Sequence, residues 1–114
     1  MISTSDLIAR LSVGDGATID AITGKDITSG YAVASNIQLR VPEYCRVAFL
    51  PVIEEFIAVA RDRYSTLGSW RARGFREYAV TFVIEDREVA LNVARRNGEE
   101  AIFDLAADVE IPVR

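Results

Sequence analysis

The chain has 114 residues, half of them apolar and 26% charged, with a formal net charge of −4. It contains no histidine and one cysteine, which excludes Ser-His-Asp and Cys-His catalysis, histidine-ligated metals, thiolate zinc and an intramolecular disulfide. The length fits a single domain, residues 1–114, able to bury a core without staples.

No apolar run approaches the about 18 residues of a membrane span. The start, MISTSDLIARLSVGDG, lacks the basic residues and long apolar stretch of a signal peptide. A cytoplasmic protein with no membrane partner is expected. Cys45, inside VPEYCRVAFL, reads as a buried, inert thiol. Twelve arginines stand against one lysine, Lys25, a bias that GC-rich coding produces.

Along the chain, Ser5 is placed to cap a short helix with the apolar stripe Leu7, Ile8 and Leu11, ended by Gly14 and Gly16. The next stretch alternates at Thr18–Ile22, turns at TGKD and resumes at Ile27–Ala34, which predicts a β-hairpin. Its D-x-x-T-G-K outline matches a zinc knuckle in which Asp20 and Thr23 replace the cysteines, so the turn is expected without the metal. IQLRV then reads as a strand that Pro42 confines to an edge. Val47–Leu50 fits either a further short strand or the lead-in to a helix. That helix, about 51–65, starts on Pro51, has Glu54 and Glu55 in its first turn, and carries a stripe of Val52, Ile53, Phe56, Ile57, Ala60 and Tyr64.

LGSWRARGFREYAVTFVIE predicts a second hairpin, with Leu67–Arg73 as one strand, a turn at Gly74 and Arg76–Glu85 as the other. Tyr78, Val80, Phe82 and Ile84 share one face of the second strand and Ala79, Thr81 and Val83 the other, as in a central strand covered on at least one side. Asp86 caps a helix over about 86–97, with Val89, Ala90, Val93 and Ala94 inward and Gly98 as its stop. AIFDL and VEIPV close the chain as strands, the last held to an edge by Pro112. The expected fold is α+β: a mainly antiparallel sheet built from hairpins, two principal helices, and a short N-terminal helix.

LGSW, DREVALNVARRNGEEAIFDL and TGKDITSGYAV (Thr23 to Val33) together resemble uncharacterised small proteins of actinobacteria and their phages and plasmids. The three segments together hold 35 of the chain's 114 residues. It implies a mobile-element setting and no activity. The hairpin turn RARGFRE departs from the longer acidic and tyrosine-bearing turn of those relatives.

Charge is unevenly placed. Arg61–Arg76 holds five arginines and one acid; Glu77–Glu110 holds nine acids and three arginines. Arginines interleaved with aromatics suit single-stranded nucleic acid by stacking and phosphate contact, or a groove if they sit on a hairpin. They equally suit a protein interface anchored by Trp and Arg, or a hairpin neutralised by its own chain. A sequence pI near 4.8 argues against broad DNA affinity. The acids fit helix N-termini and the wet face of a strand better than paired catalytic carboxylates, and they are too mixed with arginines to mimic DNA. Gly14-Asp15-Gly16 is too short for a phosphate loop, and no EF-hand spacing is present.

These features predict a small non-enzymatic protein-interaction module. Its setting would be that of an accessory, regulatory or counter-defence (anti-CRISPR-like) factor, with candidate contacts Trp70, Arg71, Arg73, Phe75 and Arg76. The alternative is a nucleic-acid-binding module using the same hairpin, 67–78. A small enzyme would need carboxylates, Tyr31 or Tyr44, and arginines converging in a pocket. No cofactor or metal is expected. The apolar stripe of the first helix (Ile2, Leu7, Ile8, Leu11) predicts a homodimer if the main sheet is already covered.

Overall fold

The computed structural model describes Met1–Arg114. The first helix, α1 (Thr4–Leu11), is capped by Ser3, whose hydroxyl accepts from Asp6 N at 3.1 Å; Ser5, the second residue of the helix, is not the cap. Leu7, Ile8 and Leu11 are buried against the chain's own core. The stripe therefore has a cover within the monomer, and the reason it gave for a dimer lapses.

Strand β1 (Gly16–Asp20) does not form a hairpin with the next strand, β2 (Tyr31–Pro42). Asp20 Oδ1 accepts from Ile22 N and Thr23 N at 2.8 and 2.9 Å, and Gly24 takes φ 73°. The chain returns for one bridge, Ile19 to Asp26, then leaves. Ala32, Val33 and Ala34 are apolar on both faces of β2, the pattern of a strand in the buried middle of a sheet rather than at its rim. It takes an interior place, with β5 on one flank and β4 on the other.

IQLRV belongs to that same strand. Ala34 pairs with Thr81 and Gln38 with Ala79, so β2 spends four residues where its partner spends two. The bulge at 35–37 bends the strand. Beyond it β2 pairs only with β4, so the edge expected at Pro42 exists, on the outer half of a longer strand.

A 3₁₀ helix (Glu43–Phe49) leads into α2 (Leu50–Arg63); Val47–Leu50 is this lead-in. Cys45 lies here half-buried, not in the core. α2 buries Ile53, Ile57 and Ala60, while Val52 is exposed. The hairpin β3 (Thr66–Ala72) and β4 (Phe75–Ile84) follows, then α3 (Arg87–Arg96), capped by Asp86 Oδ1 accepting from Val89 N at 3.0 Å. α3 buries Ala90, Leu91 and Ala94 and exposes Val89. β5 (Ala101–Asp104) and β6 (Val109–Pro112) complete the chain.

The six strands form one sheet, β1-β3-β4-β2-β5-β6, antiparallel throughout. The helices lie on one face. α1 and α2 cover a core of 12 buried residues, including Leu67, Tyr78, Val80 and Val41. α3 covers a separate core of five, including Val33 and Ile102. A fully buried Leu or Ile in these clusters contributes roughly 1.5–3 kcal/mol relative to exposure. No helix is long and apolar enough to cross a membrane.

Candidate binding face

The other face of the sheet carries no helix. Alternation sends Thr18, Gly68, Ala79 and Gln38 to it as one cross-strand row, and Gly16, Trp70, Glu77 and Arg40 as the next. A third row runs Val83, Ala32, Phe103 and Glu110. The sheet curls toward this side, enclosing an open concavity of about 1340 Å³. The curl brings the β3–β4 tip toward the start of β5: Arg73, in the turn, reaches Glu100 at 3.9 Å although β2 lies between β4 and β5.

The floor is built of small residues. Gly68 lies so close to β4 that a Cβ there would meet Thr81 Oγ1 at 2.5 Å. Ala32, Ala34, Ala79 and Thr81 are buried without a helix above them, because the curl folds the neighbouring side chains over them. Trp70 and Phe103 stand as half-buried aromatics in the walls.

The polar walls are mutually engaged. Arg40 Nη2 pairs with Glu77 Oε1 at 2.7 Å, and its guanidinium lies 5.1 Å from the centre of the Phe75 ring. Gln38 Nε2 donates to Glu99 Oε1 at 2.9 Å. Burial pushes the Glu99 carboxyl pKa up; the Gln38 hydrogen bond opposes this, while Glu77 and Glu100 add repulsion. Glu99 has no ion pair. Seven carboxylates line the concavity against four arginines, Arg10, Arg40, Arg71 and Arg73.

The five hairpin candidates separate on this framework. Trp70, Arg71 and Arg73 border the concavity. Phe75 lies at its end under Arg40, 36% exposed. Arg76 does not reach the surface: it is 1% exposed on the helix side, paired with Glu43 and donating to the Gly14 carbonyl at 2.7 Å. Its place opposite Val41 turns it inward, beside Tyr78 on the same face. Arg71 is engaged by Asp15 at 2.7 Å, which raises its pKa.

Gln38, Arg40, Glu77, Glu99 and Phe103 were not singled out in the sequence. Period-two alternation marks Gln38, Arg40, Glu77 and Phe103 as facing away from the apolar stripe, and Glu99 lies in the loop before β5; only strand order puts them around one concavity. Tyr31 packs against the α3 core and Tyr44 is exposed on the 3₁₀ helix, so neither joins the carboxylates. No group of three or more acidic, cysteine or histidine side chains is set to hold a metal ion. No family model, curated protein or solved structure matches the chain. What this face can bind follows from its own chemistry. It offers aromatic surface, hydrogen-bonding walls and an excess of negative charge.

Proposed function

We propose that the protein is a small, non-enzymatic interaction module that holds a segment of another protein against the concave face of its sheet. The observation that carries this role is an uncovered, curled sheet face bearing Trp70 and Phe103 among seven carboxylates and four arginines. Sheet faces with aromatic and small residues are ordinarily covered, and aromatic anchors within a polar rim are the usual make-up of a protein interface. The charge balance disfavours a phosphate backbone, which needs free cations. Arg40 and Arg71 are paired with carboxylates, Arg73 lies 3.9 Å from Glu100, Arg10 donates to the Gly24 carbonyl at 3.0 Å, and Arg76 is buried. An accessory, regulatory or counter-defence setting on a phage or other mobile element is part of the same proposal.

Photo-crosslinking side chains at Thr18 and Gln38 test the role, with Val59 on the exposed side of α2 as control. The same partner captured from both concave positions and not from Val59 supports it. Capture from Val59 alone, or a salt-sensitive gel shift with DNA or RNA lost on replacing Arg71 and Arg73, overturns it.

A further inference from the structure

We infer that the occupant of the concave face is an α-helix of a partner protein that presents lysine or arginine to the walls. The inference rests on the interaction-module role and deepens it.

A segment lying on the face of a sheet gains no ladder hydrogen bonds, so it must satisfy its own N–H and C=O groups, as a helix does. An extended segment would instead need a free strand edge, and the sheet offers little of one. β1 is engaged on its outer side, where Asp20 N donates to Lys25 O and Ile27 N donates to Thr18 O, both at 2.9 Å. β6 is four residues long and ends in Pro112. The free half of β2 runs only from the bulge to Pro42. Short edges closed by proline or a bulge resist strand addition.

The width of the face also suits a helix. Gly68, Ala79, Ala34 and Ala101 stand on β3, β4, β2 and β5, four neighbouring strands. Three strand spacings give a floor roughly 14 Å across, and a helix with its side chains is about 10–12 Å wide. The walls carry carboxylates that a basic partner would complement. Glu77 has one cation, Arg40; Glu100 meets Arg73 only at 3.9 Å with both exposed; Glu99 has a single neutral donor. Trp70 is the cross-strand neighbour of Glu77. A lysine stem can lie on the indole while its ammonium meets the carboxylate.

The probe is a stapled, helical 16-residue peptide with lysines spaced i, i+4 along an alanine-leucine face. Its controls are a peptide of the same charge broken by two prolines and one with glutamate for each lysine. Trp70 is the chain's one tryptophan, so its emission reports binding directly, and amide shifts locate it. The stapled lysine peptide is expected to shift Trp70 emission and move the amides of Thr18, Gly68 and Ala79. Glu99→Gln with Glu100→Gln should weaken it roughly fivefold, with circular dichroism confirming an unchanged fold. If the proline-broken peptide binds the same face as tightly, the occupant is not a helix. If the glutamate peptide binds equally, charge complementarity is wrong. If no peptide binds, the inference fails. In each case crosslinking from Thr18 and Gln38 judges the interaction role separately.

Discussion

Arg76 and Glu43 join the sheet to the 3₁₀ helix: Arg76 Nε donates to Glu43 Oε2 at 3.0 Å while its side chain is 1% exposed. The same guanidinium donates to Ser69 Oγ at 3.1 Å and to the Gly14 carbonyl at 2.7 Å. Ser69 in turn donates to the Leu11 carbonyl. One side chain thus ties β3, the end of α1, the loop after it and the 3₁₀ helix. Removing it leaves Glu43 to Arg46 alone and takes the donor from the Ser69 hydroxyl and the Gly14 carbonyl. Arg76→Ala should cost about 3 kcal/mol, read by urea denaturation, whereas Arg71→Ala should leave the midpoint near that of the parent. An equal loss from both would mean that the joint is not structural.

The same pair predicts an acid limb. The Arg76 hydrogen bond holds the Glu43 pKa below its ordinary value, outweighing burial, with Arg76, Arg46 and Arg71 adding attraction. A depressed carboxyl contributes stability that is present above its unfolded pKa and lost as pH falls through the folded one. Glu43→Gln should therefore flatten the drop in melting temperature below about pH 4.3, measured by calorimetry across pH. An unchanged acid limb would exclude Glu43 as its source.

Gly68 is a close approach. A methyl group there would meet Thr81 Oγ1 at 2.5 Å and Thr81 Cβ at 3.4 Å. Gly68→Ala should destabilise by about 1–3 kcal/mol. Gly68→Ala with Thr81→Ala should recover most of the loss, since the clashing hydroxyl is gone. A double variant no more stable than the single one would place the cost elsewhere.

The hairpin turn places Arg73 at φ 55° and Gly74 at φ 83°, the two positive values of a type I′ turn. Glycine is at ease there; arginine pays for its Cβ. Arg73→Asn should raise stability by up to about 1 kcal/mol, because its exposed contact with Glu100 is worth little. A fall in melting temperature would show that the latch outweighs the strain.

Glu99 behaves in the opposite sense to Glu43. Its raised pKa means that the folded chain holds this proton at pH values where the unfolded chain has released it. Stability is therefore lost as pH rises from the ordinary glutamate value through the folded one. Glu99→Gln, which can still accept from Gln38, should melt higher than the parent at pH 7. The gain should vanish below about pH 4, where both states are protonated. A gain independent of pH would point to packing, not charge.

Much of the secondary structure was legible because it depends on near neighbours. Asp86 before an apolar-periodic run marked α3; Pro51 and the 3.6-residue stripe marked α2. The alternation of Tyr78–Ile84 around Gly74 marked the β3–β4 hairpin, and Pro112 the edge. What the sequence left open was which strand lies beside which. The turn at Asp20–Gly24 looks like a hairpin turn, yet β1 pairs with β3, because Ala32–Ala34 is apolar on both faces and belongs inside the sheet. Arg76 shows the same limit. Locally it is one arginine among three in an exposed-looking turn; only the register opposite Val41 points it at Glu43. The concave face was hidden for this reason too. Its residues come from strands far apart in sequence, and strand order together with the bulge at 35–37 alone gathers Trp70, Glu77, Gln38 and Phe103 around one hollow.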